Sequence, residues 1–415
     1  MKKKITKLLF YIYDLLSQRQ LSNKYKEIKK LHNGDTNLDK ELVEKYLKGW
    51  GLYPELTKNS VMNKTDVLRL VQKVDSSDVH NWAYTGGSYG EPLRVPYSKK
   101  RAIIRTATFR YFNEEAGYSL GDSFALIRAK DKSPFKKFLR NETIIIPMDV
   151  SESKISEIIE MLKKNEVSFL MGYPTVMYDL AIFLNKYPDR KEELKVNSLL
   201  SASEMLEDEK RQFIYDVFGC SFVDRYANEE VGMIAQQKEF GGEYYTNKYG
   251  VITEVVDPET LQPVQEGEKG KVLVTDIYND LIPIVRYDTG DLAVAGRYEN
   301  GRLVTIKKVI GREIEKIFDT KGNSVSSLAL GPLIYKPLSR EGQVMQFQLA
   351  QISKIEYILR IKGKEEQIHD SLQKELLSGL KKHLGSKAEI IIKPMANIPP
   401  QPSGKRPVYK NEIGK

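Results

Sequence analysis

The sequence has little of what disulfide scaffolds and metal clusters require. Its 415 residues include one cysteine, Cys220, and four histidines dispersed along the chain. A single cysteine excludes an intrachain disulfide framework and a cysteine-cluster zinc or iron–sulfur site, and so few histidines argue against a histidine-rich metal centre. We therefore expect no zinc. The cysteine content is typical of a reducing, cytoplasmic compartment.

The sequence also lacks an apolar run long enough to cross a bilayer. It starts with Met-Lys-Lys-Lys and continues into apolar residues 8–13, as a signal peptide does. Lys7 and Asp14 interrupt this run and no small-residue cleavage site follows, whereas a spanning helix needs roughly 20 apolar residues. The pattern predicts a packed amphipathic helix, with peripheral membrane contact through residues 1–20 as the alternative.

Nothing in the charge pattern indicates nucleic-acid binding. Lys and Arg number 65 against 56 Asp and Glu, which gives a formal net charge of +9, and the excess is spread along the chain. No RNA-binding or helix-turn-helix signature accompanies it, so we expect no nucleic-acid partner. The 41% hydrophobic content is too high for a disordered chain, and the length suggests roughly two to four domains.

Helix and strand patterns alternate between residues 98 and 235. This alternation predicts parallel strands with helical crossovers, an α/β core at 98–240. One predicted helix carries Ile155, Ile158, Ile159 and Leu162 on one face. Three predicted helices begin at Ser98, Ser151 and Thr175, and two more span 208–218 and 229–236. The predicted strands span 124–127, 167–171, 198–200 and 222–223.

Two regions of different texture follow the core. Residues 243–310 are rich in β-patterns and turn signals, which predicts an antiparallel β-subdomain. Beyond Gly311-Arg312, strands surround a charged amphipathic helix, which predicts a small α+β domain. The predicted strands span 251–256, 271–275, 284–287, 303–307, 344–349, 355–361 and 389–393, and the predicted helix spans 365–383.

The first motif with candidate chemistry is Thr-Gly-Gly-Ser-Tyr-Gly-Glu-Pro at 85–92. Its three glycines let backbone N–H groups converge on phosphate oxygens, and its hydroxyls add donors. The motif lacks the Gly-Lys-Ser/Thr ending of a Walker loop, which disfavours an ordinary P-loop NTPase. The alternative is an ordinary loop.

The second motif, residues 224–232, is predicted to be a strand end that runs into a helix. Ligands of open α/β sheets lie beyond the carboxyl ends of strands, so this is a favoured place for a site. A base could lie on Tyr226, and a carboxylate here could hold Mg²⁺ bound to phosphates. The alternative is an acidic first helical turn that complements the helix dipole.

The third and fourth motifs lie further along the chain. In residues 286–291, Asp291 follows Gly290 and offers two oxygens that suit a ribose diol; the alternative is a hairpin turn. In residues 403–407, Lys405 on a glycine-hinged turn could bring positive charge to a phosphate; the alternative is a frayed basic tail.

Taken in order, these four motifs resemble the adenylate-forming superfamily of acyl-CoA synthetases, luciferases and peptide-synthetase adenylation domains. The resemblance is greatest to the phenylacetate–CoA ligase-like branch, in particular to the CapK-like proteins of capsular polysaccharide biosynthesis. It covers about residues 55–410, supported by 90–97, 171–174, 201–206 and 311–312. It implies a large N-terminal adenylation domain (1–311), with α/β layers and a distorted β-barrel subdomain, and a small mobile α+β C-terminal domain (312–415).

The resemblance also implies roles for individual residues. The implied phosphate-binding residues are Thr85, Gly86, Gly87, Ser88, Tyr89 and Gly90. The implied adenine contacts are Ser203, Glu204 and Tyr226, and the implied ribose contacts are Asp291 and Arg312. The implied acyl pocket contains Tyr173, Pro174 and Ser201, and the implied catalytic residues are Lys405 and Glu230, the latter as the Mg²⁺ ligand.

The implied reaction uses ATP and Mg²⁺ to convert a small carboxylic acid into an acyl-adenylate. A thiol, typically that of CoA, or another acyl acceptor then takes the acyl group, after the small domain rotates about a hinge within 312–315. Departures from the family pattern are Gly86 for serine, Glu91 for lysine and Ala227 for glycine, and none removes a charge that adenylation needs.

Two alternatives remain open from the sequence. One is a catalytically silent nucleotide-binding scaffold of a polysaccharide assembly complex, which the retention of Glu230, Asp291 and Lys405 disfavours. The other is a relative that leaves AMP on its acceptor. The acid and the oligomeric state are not predicted.

Overall fold

A computed structural model describes residues 2–16, 18–32, 48, 61–84, 94–128, 131–146, 152–204, 208–312, 317–325, 327–340, 347–362, 368–399 and 408–413. Helices in these ranges are α1 Lys2–Leu16, α2 Gln20–His32, α3 Lys64–Val71, α4 Lys99–Glu115, α5 Pro134–Arg140, α6 Glu152–Lys164, α7 Pro174–Lys186, α8 Pro188–Glu192, α9 Asp208–Phe218, α10 Ser327–Arg340 and α11 Asp370–Leu384.

The strands in these ranges are β1 Asn81–Tyr84, β2 Arg94–Tyr97, β3 Phe124–Ile127, β4 Glu142–Ile145, β5 Phe169–Gly172, β6 Ser198–Ala202, β7 Ser221–Asn228, β8 Gly232–Gln237, β9 Tyr244–Thr246, β10 Val251–Val256, β11 Lys269–Asp276, β12 Ile284–Ala295, β13 Tyr298–Glu299, β14 Arg302–Leu303, β15 Thr305–Arg312, β16 Ile317–Phe318, β17 Ser324–Val325, β18 Phe347–Gln351, β19 Glu356–Lys362, β20 Glu389–Met395 and β21 Tyr409–Asn411.

Eleven strands form one large mixed sheet in the order β10-β11-β12-β15-β9-β8-β7-β6-β5-β3-β4. The strands β4, β3, β5, β6 and β7 run parallel, as the helix–strand alternation predicts. From β7 to β10 every neighbouring pair is antiparallel. The predicted α/β core and β-rich region are therefore both present, and hydrogen bonds join them in the same sheet.

Amphipathic helices cover the parallel strands. In α6 the residues Ile155, Ile158, Ile159 and Leu162 recur every three or four positions and all are buried, which confirms their predicted face. They pack in one core with apolar residues of α7, α9 and the parallel strands. Burial of this core holds the carboxyl ends of β5, β6 and β7 at a common edge.

A separate four-stranded sheet, β20-β19-β18-β21, lies in the C-terminal region. Its core includes apolar residues of α10 and α11, and Leu372, Leu376, Leu380 and Leu384 form one buried stripe on α11. The predicted α+β organisation is confirmed, and the sequence patterns missed α10. The strand β15, which belongs to the large sheet, ends at Arg312.

The predicted helix at 229–236 is wrong. Residues 232–237 form β8, antiparallel to β7, and all six are buried. A strand that is buried on both faces loses its polar–apolar alternation, so its apolar run is easily taken for a helix. The third motif is also not a hairpin turn, because it lies within the twelve-residue strand β12.

Helix α1 is present, but the predicted packing of its apolar side is wrong. Its buried residues are Thr6 and Asp14, whereas Leu8 and Leu15 are exposed. The sequence patterns also missed α5 and β4. No helix in the described ranges is both long enough and apolar enough to cross a membrane.

Candidate functional site

The candidate site begins where three parallel strands end side by side. In the register of β5, β6 and β7, Gly172 lies beside Ser201, and Ser201 lies beside Asp224. Because the carboxyl ends of parallel strands meet at one edge of a sheet, the segments that follow these residues are neighbours. Predicted site residues therefore meet here from separate parts of the chain.

The end of β5 requires glycine. Gly172 has a φ of +141°, and a Cβ there would lie 2.6 Å from both the Cβ and the carbonyl oxygen of Ile127. Tyr173 follows in an extended conformation, and Pro174 begins α7, a position where its missing N–H costs nothing. The two predicted acyl-pocket residues thus occupy a tight strand-to-helix junction.

The turn after β6 is held from both sides. The buried Ser201 hydroxyl donates to the Asp224 carboxylate on β7. Ser203 has a φ of +74°, in the left-handed region. The Thr175 hydroxyl in the first turn of α7 donates to Glu204 Oε2 at 2.6 Å. The predicted adenine-binding segment is therefore fixed to both neighbouring elements.

A direct hydrogen bond joins the second and third motifs. The Tyr226 hydroxyl donates to Asp291 Oδ2 at 2.7 Å and lies 3.2 Å from the Thr289 hydroxyl. On the next strand, Arg312 lies opposite Asp291 in the register of β12 and β15. The predicted base-stacking and ribose-binding residues are thus adjacent, although 65 positions separate them in the sequence.

An irregularity in the backbone of β12 immediately precedes Asp291. Gly290 has a φ of +74° within β12, a conformation that favours glycine. Its N–H donates to Asp288 Oδ1 at 2.8 Å, and the Asp291 N–H donates to the Thr289 hydroxyl at 3.1 Å. These local bonds hold the left-handed residue in place and fix the backbone on either side of it.

Glu230 lies in the tight turn between β7 and β8 and is 4% exposed. The Tyr287 hydroxyl donates to its Oε1 at 2.9 Å, a second link between the second and third motifs. The Tyr97 hydroxyl donates to the Glu229 carbonyl oxygen at 2.7 Å, and Arg105 pairs with the Glu229 carboxylate at 3.1 Å. The turn that carries Glu230 is therefore held from two further elements.

The fit of Glu230 to Mg²⁺ rests on this single carboxylate. The described ranges contain no group of three or more His, Cys, Asp or Glu that could hold a metal ion. Mg²⁺ in nucleotide sites is usually bound by one or two carboxylates together with substrate phosphates, so a dedicated cluster is not required. A Glu230 carboxylate in a rigid turn fits that arrangement.

Sequence reasoning missed a buried polar network beneath the site. Asp224 accepts a hydrogen bond from the Tyr244 hydroxyl at 2.5 Å and one from Arg211 at 3.3 Å, in addition to that of Ser201. Burial, reinforced by Asp224, raises the pKa of Tyr244. Arg211 lies on α9 and Tyr244 on β9, so no local spacing could have predicted their meeting at Asp224.

Arg225, next to Tyr226, was also missed. Arg225 is buried, and its guanidinium donates to Gln236 at 2.6 Å and to Asn113 at 2.8 Å. Burial lowers the pKa of Arg225 to about 9, because desolvation disfavours its charged form. Its position beside Tyr226 in the second motif is the signal that could have drawn attention to it.

Several predicted residues lie outside the described ranges. These are the phosphate-loop residues 85–90, the hinge residues 313–315 and Lys405, together with the side chain of Arg312. The part of the site that the structure describes comprises Tyr173, Pro174, Ser201, Ser203, Glu204, Tyr226, Glu230 and Asp291.

Comparisons with known proteins identify the family. A sequence model of the family described as AMP-binding enzyme matches residues 6–277. The phenylacetate-coenzyme A ligase of Pseudomonas putida is 21% identical over 247 residues, which cover 58% of this chain and 55% of that protein. The match therefore spans about half the length of that curated relative.

Solved structures share the fold at low identity. A 2-hydroxyisobutyryl-CoA ligase in the postadenylation state superposes with a TM-score of 0.65 at 15% identity, covering 95% of this chain and 88% of that one. A benzoate CoA ligase from Burkholderia xenovorans LB400 gives a TM-score of 0.52 at 16% identity, covering 80% and 68%. Such proteins have a large N-terminal and a small C-terminal domain. Since the family model matches more than half of the chain, the protein belongs to the AMP-binding enzyme family.

Proposed function

We propose that this chain activates a carboxylic acid with ATP as an acyl-adenylate and then transfers the acyl group to CoA. The observation that carries the proposal is the hydrogen bond between Tyr226 and Asp291. It holds the Tyr226 ring beside the Asp291 carboxylate, which supports a role for the ring in adenine binding and for the carboxylate in ribose binding, near the sheet edge where α/β folds bind ligands. The buried Glu230 lies in the turn that follows β7, the strand that carries Tyr226.

The chemistry that we propose proceeds in two steps. A carboxylate oxygen attacks the α-phosphorus of ATP, the bond to the β-phosphate oxygen breaks, and pyrophosphate leaves. The thiol of CoA then loses its proton to solvent and attacks the acyl carbon, and AMP leaves with the electron pair of the broken C–O bond. The first step needs negative charge to be neutralised at phosphorus more than it needs a general base.

Asp291 and Tyr226 orient the nucleotide in this proposal. A carboxylate accepts several hydrogen bonds, so the bond from Tyr226 fixes the rotation of the Asp291 carboxylate without exhausting its capacity. Glu230 would hold Mg²⁺, which neutralises phosphate charge when bound. Ser203 and Glu204 would contact adenine through the backbone of a turn that Thr175 braces.

The remaining roles rest on the sequence motifs. We propose that residues 85–90 bind the β- and γ-phosphates and that Lys405 bridges the carboxylate and the α-phosphate. Rotation of the small domain (312–415) about a hinge within 312–315 would withdraw Lys405 after adenylation. Tyr173 and Pro174, which are buried at the end of β5, would line the acyl pocket.

The biological setting is a further part of the proposal. The resemblance of residues 55–410 to CapK-like proteins supports a role in capsular or surface polysaccharide biosynthesis. The single cysteine supports a cytoplasmic location, where ATP and CoA are supplied.

Product analysis tests the proposed reaction. The full chain is incubated with ATP, Mg²⁺, CoA and a panel of aryl, alkyl, hydroxy and amino acids, and the products are identified by mass spectrometry. We expect AMP, pyrophosphate and an acyl thioester of CoA with at least one acid. A product in which the acceptor has gained AMP would contradict acyl transfer and indicate nucleotidylation.

A further inference from the structure

Helix α1 lies against the protein through its polar side. Lys3, Thr6, Phe10 and Asp14 recur every three or four residues and so share one face. Thr6 and Asp14 are buried, Lys3 pairs with Asp122, and the Ser22 hydroxyl donates to Asp14. Phe10 is the main apolar residue on this inward face, and the Arg110 guanidinium lies 4.9 Å from its ring centre.

The opposite face of α1 is apolar and exposed. Leu8 and Leu15 are each 60% exposed. The other exposed apolar residues of the helix are Ile5, Tyr11, Ile12, Tyr13 and Leu16. A surface helix of a globular protein normally buries its apolar face. In α1 the polar face is anchored and the apolar face is presented outward.

A neighbouring helix enlarges this apolar surface. Helix α5 contacts α1, and its Phe135 and Phe138 are 70% and 57% exposed. Exposed apolar residues grouped on two contacting helices indicate an interaction site, whereas single exposed apolar residues need no explanation. We call the exposed apolar residues of α1 together with Phe135 and Phe138 the outer apolar surface.

Both helices of the outer apolar surface also carry exposed cations. Lys2, Lys4 and Lys7 on α1 and Lys136 and Arg140 on α5 are exposed. The only acidic residue in either helix is Asp14, which is buried. The surface therefore combines apolar groups with positive charge on the same two helices.

We propose that α1 and α5 dock on the surface of an anionic lipid bilayer. Interfacial helices insert their apolar residues at the boundary between headgroups and acyl chains and place lysines among anionic headgroups. Charge favours lipid over a second copy of this chain, because a two-fold interface would bring the lysines of both copies together. The inference does not depend on the proposed acyl-CoA chemistry.

Vesicle flotation of the full chain tests this inference. Vesicles of phosphatidylcholine alone are compared with vesicles that contain a quarter of phosphatidylglycerol, at low and high salt. We expect flotation with the anionic vesicles, weakened by salt, because exposed charges are screened. Absence of binding to anionic vesicles at low salt would overturn the proposal.

Substitutions locate the contact. Leu8→Ser and Leu15→Ser should each weaken binding roughly tenfold, and Lys4→Gln and Lys7→Gln about fivefold each. The matched control is Ile391→Ser, which removes a 63% exposed apolar side chain from β20 and should leave binding unchanged. Thermal unfolding of every variant checks that the fold is retained.

Two further results would contradict the proposal. One is vesicle binding that the leucine and lysine variants leave unchanged. The other is a dimer in light scattering that Leu8→Ser and Leu15→Ser convert to monomer, in a chain that does not float with vesicles. That result would assign the outer apolar surface to contact between copies.

Discussion

The parallel and antiparallel halves of the large sheet supply site residues in different ways. In the parallel half, Tyr173, Ser203 and Tyr226 occupy or follow the carboxyl ends of neighbouring strands. In the antiparallel half, Asp291 lies within β12, where no strand end is available. There the left-handed Gly290 interrupts the regular strand just before Asp291.

The difference shows how one edge of a mixed sheet can collect the residues of a candidate site. Parallel topology collects strand ends without any special residue, because all the ends face the same way. An antiparallel strand needs an irregularity in its backbone to redirect one side chain. The hydrogen bond from Tyr226 to Asp291 then joins the two halves.

The largest expected effect is a loss of adenylation activity without a loss of ATP binding by the two halves of the sheet. Lys405→Ala should lower adenylation about a hundredfold or more, because it removes a charge that acts on the transition state. ATP binding should be retained, since Tyr226 and Asp291 are unchanged. Pyrophosphate exchange and calorimetry measure the two properties, with the exposed Lys393→Ala as control. Equal exchange in Lys405→Ala and wild type would refute the role.

The next largest effect is a loss of folding stability, which should differ between substitutions of Gly172 in the parallel half and Gly290 in the antiparallel half. In Gly172→Ala the new Cβ would meet Ile127 at 2.6 Å, so we expect a loss of about 3 kcal/mol in the free energy of unfolding. In Gly290→Ala nothing lies within 4 Å of the new Cβ, and only the backbone conformation opposes it, at about 1–2 kcal/mol. Urea unfolding gives both values. A larger loss for Gly290→Ala would reverse the comparison.

A carboxylate deletion tests the antiparallel half. Asp291→Ala should weaken ATP binding about tenfold to a hundredfold, because hydrogen bonds to a charged group contribute about 1.5–3 kcal/mol each. Asp257→Ala, in an exposed turn of the same half, is the control. Calorimetry measures both affinities, and an unchanged affinity in Asp291→Ala would remove the ribose assignment.

The smallest expected effect is the loss of ATP affinity on removal of the hydrogen bond between Tyr226 and Asp291, which joins the two halves. Tyr226→Phe keeps the ring face and loses the hydroxyl that donates to Asp291, so ATP affinity should fall about fivefold. In an Asp291→Ala background the same substitution should have little further effect, because the two residues act together. Additive losses in the double variant would show that they act separately. Tyr215→Phe, on α9, is the control for removing a tyrosine hydroxyl.

Much of the fold could be predicted because its cores are made of periodic apolar stripes. The helix Asp208–Phe218 and the strand Val251–Val256 have the predicted bounds. The strand Gly232–Gln237 was mistaken for a helix because burial on both faces erases the alternation that identifies a strand. For α1 the periodicity predicted two faces, but it does not reveal which face meets the protein.

The sequence motifs predict residue types for the candidate site, but they do not predict the contacts between these residues. Tyr226, Glu230 and Asp291 follow from motifs whose residue types suit a base, a metal ion and a ribose. The contacts of these residues could not be predicted. The Tyr226 hydroxyl donates to Asp291 across 65 positions of the sequence, and the Tyr287 hydroxyl donates to Glu230 across 57 positions. Such contacts depend on strand order in the sheet, which local patterns do not determine.

The most direct test of the account is carboxylate-dependent ATP–pyrophosphate exchange by the wild-type chain. The assay contains Mg²⁺ and the same panel of acids, with no CoA, so that only adenylation is measured. We predict exchange with at least one acid and its loss in Lys405→Ala. Tight ATP binding with no exchange across the whole panel would contradict carboxylate activation and favour a nucleotide-binding scaffold.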